Sequence, residues 1–435
     1  MSNQLGSLKM GQKFKKTPAG EIPVEWGLAA ISDLCQVNPE VIKESTPPDT
    51  QLKYIDIASI EHTGYVSDTK SIQFKDAPSR ARRVVKAGDI IVSTVRPYLK
   101  AFARIADSSN NLIASTGFAV LRPKPNVCGS YIYQHVLSDA FVKHLEGRMV
   151  GSNYPAVNAG DVAEYQVPVP TSSEQKKIGQ ILDEVDVVVE KIQDEIGKTK
   201  KLKNGLMRQL LTRGIGHKKF KETKVGEIPM EWDCGTLDSV KASIKNAIVD
   251  GPFGSNLKTI HYRDSGIPVI QSGFVTSNRF EAKDYVYVDE SLFVEQQRSR
   301  VCPGDIVMAK IGAQAGTCAI LPQDHPIGIL AGNSLKITTD PAKCLPEYLV
   351  FFLHYRYSQD GLGAIKTITA QPAISLKSLK SYEIPVPDIK EQAEIVAILS
   401  DLDADMARKT ALLDKTVGLK KGLMRMLLTG KVRVG

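Results

Sequence analysis

The chain repeats part of its own sequence, and this repeat constrains the fold more than any other feature. The segment GEIPVEW at 20–26 returns as GEIPMEW at 226–232, and EQKKIGQILDEVD from Glu174 returns as EQAEIVAILSDLD from Glu391. GLMRQLLT from Gly205 likewise returns as GLMRMLLT from Gly422. The segments between these blocks match poorly. Two similar frames that hold two dissimilar inserts indicate one scaffold with two different recognition surfaces.

The repeated EQ segments predict two long helices, 174–212 and 391–429. A capping signal precedes each helix, Thr171 with Glu174 and Asp388 with Glu391. Apolar residues at helical spacing form a narrow seam, so each helix needs a long partner. Instead of packing on separate domains, the helices are expected to form an antiparallel coiled coil of ~58 Å. The predicted seam residues are Ile178, Ile181, Val185, Ile192, Leu202, Leu206, Ile395, Ile398, Leu402, Leu412, Leu419 and Leu423.

The inserts, 27–167 and 233–384, have the pattern of mixed α+β domains. Short β-rich runs occur at 88–95, 117–123, 267–273, 304–312 and 334–340, separated by Gly, Pro and Asn. A helix is predicted near the end of each insert, over 130–145 and 346–358. Trp26 and Trp232 recur in the two frames, which favours core packing. Each half is therefore predicted to consist of an arm, a mixed domain and a long helix.

Composition places the chain among globular proteins, with 42% hydrophobic and 24% charged residues. The net charge of +8 is compatible with a polyanionic partner. The N-terminus lacks the apolar core of a signal peptide, and no apolar run is long enough for a membrane span, so we expect a cytoplasmic protein. The six scattered cysteines include no CxxC pair, which argues against a disulfide framework or a zinc site.

Motifs that carry catalysis are missing from the sequence. There is no Asn/Asp-Pro-Pro-aromatic strip of an amino-methyltransferase, no phosphate-binding loop, no dinucleotide fingerprint and no Gly-x-Ser-x-Gly elbow. The histidines show no metal-binding spacing. We expect no active site, metal or cofactor in this chain, so any role in an enzyme would be that of a subunit.

Polar residues on loops beside the β-runs are candidates for contact with DNA. Arg and Lys bind phosphates or guanine, Asn and Gln pair with adenine, and Tyr stacks on bases. Ordinary solvated surface is the alternative for any one of these residues. The candidates are Arg96, Tyr98, Lys100, Arg148, Ser152, Asn153 and Tyr154 in the first insert, and Ser255, Asn256, Lys258, Lys310, Gln314, Lys366, Thr367 and Gln371 in the second.

The combination of these motifs resembles the specificity subunit (HsdS) of Type I restriction–modification systems. The resemblance rests on the twin GEIPxEW segments, the I/V-P-V-P ends followed by an EQxxI helix, and the LMRxLLT tails. It implies two target-recognition domains, 20–171 and 217–388, after an N-terminal arm at 1–19. The long helices would occupy 172–216 and 389–435, with an internal pseudo-twofold repeat.

The resemblance also implies the partners. Double-stranded DNA would be read as an asymmetric bipartite target, and two copies of an adenine-N6 methyltransferase subunit would dock on the frame. An ATP-dependent restriction subunit could join them. The partners, not this chain, would use S-adenosylmethionine, and ATP with Mg for restriction. The alternatives are a coiled-coil adaptor that binds no DNA, and an orphan or other-type restriction specificity chain.

Overall fold

The computed structural model describes residues 13–60, 64, 66, 69–107, 109–151, 153–252, 256–276, 278–367 and 371–434. The chain divides into two compact units. Unit 1 comprises residues 1–194 and 410–435, and unit 2 comprises residues 195–409. Both boundaries fall inside the long helices predicted from the repeat. No described helix is long and apolar enough to cross a membrane.

Among its described residues, unit 1 has twelve strands and several short helices before the first long helix. The strands are β1 Phe14–Thr17, β2 Gly20–Pro23, β3 Gly27–Ala30, β4 Cys35–Val37, β5 Gln51–Ile55, β6 Lys70–Gln73, β7 Ala81–Val84, β8 Ile90–Ser93, β9 Phe102–Arg104, β10 Leu112–Ser115, β11 Phe118–Pro123 and β12 Gln166–Val169. The helices are α1 Ile31–Leu34, α2 Gly129–Leu137, α3 Asp139–Glu146, α4 Ala159–Ala163 and α5 Ser172–Arg213, the last of which continues into unit 2.

Unit 2 has a matching series of elements. Its strands are β13 Phe220–Thr223, β14 Gly226–Pro229, β15 Asp233–Thr236, β16 Ile248–Asp250, β17 Ile267–Ile270, β18 Tyr287–Val288, β19 Arg300–Val301, β20 Ile306–Ala309, β21 Cys318–Ile320, β22 Gly328–Leu330, β23 Ser334–Ile337 and β24 Glu383–Val386. Its helices are α6 Leu237–Val240, α7 Glu290–Glu295, α8 Pro346–Ser358, α9 Leu376–Lys380 and α10 Ile389–Leu427, which ends in unit 1.

The two inserts have the same sheet topology although their sequences match poorly. In unit 1 the four-stranded sheets run β6-β5-β10-β7 and β4-β11-β8-β9, and in unit 2 they run β18-β17-β22-β19 and β16-β23-β20-β21. Each first sheet has one parallel pair, β5 with β10 and β17 with β22. The two-stranded sheets β12-β3 and β15-β24 join the start of each insert to its end. The repeat therefore extends through the inserts.

A buried aspartate begins equivalent strands in the two units. Asp89 precedes β8 and Asp305 precedes β20, and each accepts a hydrogen bond from the backbone N–H three residues earlier. Asp89 pairs with Arg122 at 2.8 Å, and Asp305 pairs with Lys336 at 3.0 Å. The positions match at a shift of 216, whereas Trp26 and Trp232 differ by 206. Ten of the eleven extra residues in the second half therefore precede Asp305, and α7 lies in that segment.

The long helices confirm the predictions from the repeat at both ends. They contain 42 and 39 residues, or about 63 and 58 Å at ~1.5 Å per residue. Thr171 Oγ1 accepts from Glu174 N at 3.3 Å, and Asp388 Oδ1 accepts from Glu391 N at 2.9 Å. The helices are followed by Gly214 and Gly430, both at positive φ.

Two other sequence predictions have different outcomes. The helix predicted over 346–358 is confirmed as α8. The single helix predicted over 130–145 is wrong, because Ser138 has an extended backbone and separates α2 from α3. Its side chain accepts a hydrogen bond from Phe141 N and caps α3. Trp26 and Trp232 are buried in the cores of their units, as predicted.

The burial predicted for the seam residues is wrong for four of them, which are exposed. Ile178, Ile192 and Ile395 are buried, and Ile181, Val185, Leu206, Leu402 and Leu423 are half-buried. The exposed ones are Ile398, Leu202, Leu412 and Leu419. Each of these four lies one position before a less exposed residue, namely Leu399, Lys203, Leu413 and Lys420. One residue rotates a helical position by ~100°, so the buried stripe passes beside the predicted leucines.

Candidate nucleic-acid interface

Each unit presents a pair of loops beside its second four-stranded sheet. The first loop pair, in unit 1, comprises 94–101 after β8 and 150–157 without 152. The bridge Val95↔Ala156 and the bond from Arg96 N to Pro155 O at 2.8 Å join its loops. The second loop pair, in unit 2, comprises 310–317 after β20 with 366, 367 and 371–374. Its loops are joined in the same way, by Ile311↔Ala373 and by Gly312 N to Pro372 O at 2.8 Å.

Three predicted site residues converge in the first loop pair. The guanidinium carbon of Arg96 lies 4.8 Å from the ring centre of Tyr154, and Arg96 Nη2 donates to Asn153 O at 3.1 Å. Such a cation–π contact keeps the guanidinium plane on the aromatic face. Tyr154 is 72% exposed, and Tyr98 is exposed on the neighbouring loop. An exposed aromatic next to an oriented arginine is suited to contact with bases.

The other two cations predicted to contact DNA in the first insert are already bound to neighbouring groups of the protein. Lys100 Nζ donates to Leu137 O at 3.1 Å and pairs with Asp139 at 2.9 Å. The hydrogen bond from Lys100 lowers the pKa of Asp139 below its ordinary value. Arg148 Nη1 donates to His144 O at 3.1 Å. These contacts hold the loops, and Ser152 lies outside the described residues.

Predicted residues of the second loop pair gather around one tyrosine. Lys366 Nζ lies 4.8 Å from the ring centre of Tyr357, whose hydroxyl donates to Gln314 Oε1 at 3.3 Å. Thr367 Oγ1 accepts from Ala373 N at 3.0 Å. Gln314, Thr367 and Gln371 are exposed. Tyr357 was missed by the sequence analysis because it falls in the last turn of α8, outside any loop pattern.

Lys310 is largely enclosed, with 12% of its side chain exposed. Its Nζ lies 2.7 Å from Asp250 Oδ2, and Arg298 pairs with the same carboxylate at 2.8 Å. Burial of a cation against a carboxylate fixes the base of the loop. The sequence offered no sign of this set, because the three residues lie far apart in the chain.

The remaining candidates of the second insert lie on a separate segment. Asn256 and Lys258 are exposed, just before a 3-10 turn at Thr259–His261. Lys258 N donates to His261 Nδ1 at 3.1 Å. Ser255 lies outside the described residues. No group of three or more His, Cys, Asp or Glu side chains suited to a metal ion occurs in the described part of the chain.

Ion pairs between the long helices repeat in the two units. In unit 1, Lys420 Nζ lies 2.5 Å from Asp186 Oδ1. In unit 2, Lys203 Nζ lies 2.5 Å from Asp403 Oδ1. Both lysines and both aspartates are related by the shift of 217 that relates the helices. The shift could have identified these pairs from the sequence, but a search for apolar positions passes over lysine.

Comparison with known proteins identifies the family. The family model "Type I restriction modification DNA specificity domain" matches residues 23–198 and 255–415. The type I restriction enzyme MjaVIII specificity subunit of Methanocaldococcus jannaschii is 27% identical over 307 residues, 69% of each chain. A chain from a structure of "the type I R-M system" has a TM-score of 0.57 at 22% identity, over 94% of this chain and 99% of that one.

A second structure, the Type-I restriction-modification system S subunit from M. genitalium, has a TM-score of 0.56 at 15% identity, over 98% of both chains. At these identities the structures support the fold alone. The family model matches well over half of the chain. This chain therefore belongs to the Type I restriction–modification specificity subunits, non-catalytic proteins that give such systems their DNA sequence specificity.

Proposed function

We propose that each unit reads one half of an asymmetric, bipartite DNA target. The observation that carries this proposal is the loop pair at the same place in the same topology of both units. Its side chains differ, with Arg96 stacked on Tyr154 in unit 1 and Lys366 on Tyr357 in unit 2. Different donors and acceptors select different bases, so equal scaffolds with unequal loops imply two unlike half-sites.

The two long helices are proposed to pair as an antiparallel coiled coil that fixes the spacing of the half-sites. The ion pairs Lys203–Asp403 and Lys420–Asp186 support this pairing, because they are the same lysine–aspartate contact between the two helices, formed once in each unit. A rod of ~58 Å corresponds to ~17 base pairs, which allows contact with successive major grooves. In this arrangement 20–171 and 217–388 are the target-recognition domains.

The expected partners are DNA and the methyltransferase subunit, with the restriction subunit as an optional third. A pseudo-twofold frame offers two equivalent docking surfaces, so two methyltransferase subunits would bind. Methylation of adenine N6 inside a duplex requires the base to leave the stack. The partner would extract the base while this chain holds the register. S-adenosylmethionine and ATP belong to the partners.

Mapping of methyladenine across the source genome tests this function. Single-molecule sequencing with and without the gene should reveal one split, asymmetric motif whose methylation depends on the gene. Its sequence would give both half-sites directly. A palindromic motif would contradict two unlike half-sites, and an unchanged methylome would count against a working specificity subunit.

A salt titration of DNA binding separates the proposal from an adaptor role. Binding through several phosphates should weaken steeply, with log K falling by ~0.9 per phosphate against log salt. Arg148→Ala and Lys366→Ala are expected to weaken binding while the melting temperature stays unchanged. A chain that binds no DNA at any salt concentration, but retains its protein partners, would be an adaptor.

A further inference from the structure

Two residues of the first loop pair have positive φ angles at positions where the second loop pair has glycine. Arg96 has φ 48° and Lys100 has φ 52°. At the shift of 216 their equivalents are Gly312 at φ 97° and Gly316 at φ 102°. The hydrogen bonds from Arg96 N and Gly312 N to a proline carbonyl confirm that the positions correspond.

A left-handed backbone is unfavourable for residues with a Cβ atom, and glycine avoids this cost. Unit 2 uses glycine at both positions, so the loop geometry itself does not require a side chain. Non-glycine residues persist in such conformations where function retains them. The side chains of Arg96 and Lys100 therefore call for separate explanations.

The side chain of Lys100 has a structural explanation. Its Nζ binds Leu137 O and Asp139 and so ties the loop to the start of α3. Arg96 makes no comparable ion pair within the described residues. Its bond to Asn153 O uses one of five guanidinium N–H groups, and its buried Nε lacks a hydrogen-bond partner there.

The guanidinium of Arg96 is held over the ring of Tyr154, 4.8 Å from its centre, and has further N–H groups on Nη1 and Nη2. Two parallel N–H donors match the O6 and N7 acceptors of guanine in the major groove. Fixing the plane in advance reduces the entropy lost when the contact forms. The same fork also binds a phosphate, but loss of a phosphate contact would lower affinity for every sequence, whereas loss of a base contact affects one position of the target.

We infer that Arg96 is a specificity-determining residue of the first half-site and reads a guanine there. This inference rests on the proposed function of the loop pair. Gly312 at the equivalent position supplies no such contact, so this contact is confined to one half of the target. The first half-site should contain a guanine whose recognition depends on Arg96 alone.

The test is selection from a randomised duplex DNA library by the full chain in complex with its methyltransferase subunits. Wild type should select a bipartite sequence. Arg96→Gly should abolish the preference for guanine at one position of one half-site, which is one column of the aligned selected sequences. Discrimination at that position should fall by about 5- to 150-fold, the value of one bidentate pair. All columns of the other half-site should remain, which provides an internal control.

Two further variants separate base reading from strain and charge. Asn126→Gly removes a side chain from a left-handed position outside the loop pair, at φ 69°, and should leave the guanine column intact. Arg96→Lys keeps the charge but loses the planar pair of donors, so it should retain affinity and weaken the preference for guanine without abolishing it. Arg96→Gly is also expected to melt no lower than wild type, because the substituted backbone is relaxed.

The outcomes distinguish this inference from the proposed function. If wild type selects a bipartite sequence and every column survives in Arg96→Gly, Arg96 is not the reader and the proposed function stands. If Arg96→Gly flattens both half-sites equally, Arg96 contributes general affinity, and the inference also fails. If wild type enriches no sequence, the proposed function fails and the inference fails with it.

Discussion

Glu174 and Glu391 lie at equivalent positions in the first turns of the two long helices. Each contacts a basic side chain, and the two basic residues are of different types. In unit 1 Glu174 pairs with Arg433, whose Nη2 lies 2.8 Å from Oε2. In unit 2 Glu391 contacts His217, whose Nε2 lies 3.0 Å from Oε1. Both basic residues stand three positions after the glycine that ends a long helix. The same contact is thus built with a permanent charge in one unit and a titrating one in the other.

The tryptophans of the two frames extend this difference. Trp232 Nε1 donates to Glu391 Oε2 at 2.7 Å, and Ile215 N donates to Oε1 at 2.8 Å. Trp26 Nε1 has no hydrogen-bond partner among the described residues, and the Arg433 guanidinium lies 5.5 Å from the Trp26 ring centre. Glu391 is therefore supported by neutral donors as well, whereas Glu174 relies chiefly on one charge pair.

The largest expected difference between the units concerns the buried aspartates. Asp305→Asn leaves Lys336, whose side chain is 8% exposed, without a counter-charge. Loss of one partner of a buried ion pair costs about 3–5 kcal/mol of unfolding free energy. Asp89→Asn should cost less, because Arg122 also pairs with Glu40 and reaches solvent. Denaturant-dependent hydrogen exchange of β20 and β8 measures the two losses, and equal losses would contradict the role of Glu40.

The next effect separates the two helix-start glutamates. Glu174→Gln replaces one acceptor oxygen by an amide and disrupts the two-point contact with Arg433. Charge-assisted hydrogen bonds contribute about 1.5–3 kcal/mol each. Glu391→Gln keeps an oxygen that accepts from Trp232 and should cost less at a pH above the folded-state pKa of His217, where the imidazole is neutral. Hydrogen exchange of β2 and β14 reports each unit separately.

Glu25→Gln is the matched control for this pair. Glu25 also contacts Arg433, at 2.8 Å, but its side chain is largely exposed. An exposed pair contributes little, so the exchange of β2 should scarcely change. A loss as large as that of Glu174→Gln would show that exposure does not separate the two contacts.

The pH dependence of folding stability should also differ between the units. Burial alone would lower the pKa of His217, but hydrogen bonds and charges from Glu391 and Glu231 raise it above 6.5. A raised folded-state pKa gives stability that is fully present below ~6.5 and lost as pH rises through the folded-state pKa. The hydrogen bond to Glu174 raises the pKa of Arg433, which stays charged throughout.

We therefore expect β13–β14 to lose protection as pH rises above 6.5 and through the raised folded-state pKa of His217, after correction for intrinsic exchange, while β1–β2 does not. His217→Arg transfers the chemistry of unit 1 to unit 2 and should remove the pH step. His217→Gln should remove the step as well, but lower protection at pH 6. A pH step that persists in both variants would exclude His217 as its source.

The frame was predictable from the sequence, and the common topology of the inserts was not. The frame repeats whole segments such as GEIPxEW, which mark equivalent strands directly. The inserts share little beyond the Gly-Asp before β8 and β20, because alternating buried positions accept many apolar residues. In the candidate site the sequence located the two loops that follow these strands, and their contact with DNA stays a prediction. The enclosure of Lys310 by Asp250 was not, since that contact depends on tertiary structure.

The smallest expected effect concerns Leu202 and Leu419, which are equivalent residues of the two long helices. They are 53% and 59% exposed, although their spacing predicts a buried seam. Leu202→Asp and Leu419→Asp should each change the unfolding free energy by less than about 0.5 kcal/mol, as exposed substitutions do. Ile178→Asp and Ile395→Asp, at fully buried equivalent positions, are the matched controls and should be severely destabilising. Thermal melting of the four variants measures both effects. A large loss at Leu202 or Leu419 would show that these leucines are buried in the folded chain, and would contradict their exposed positions on the two helices.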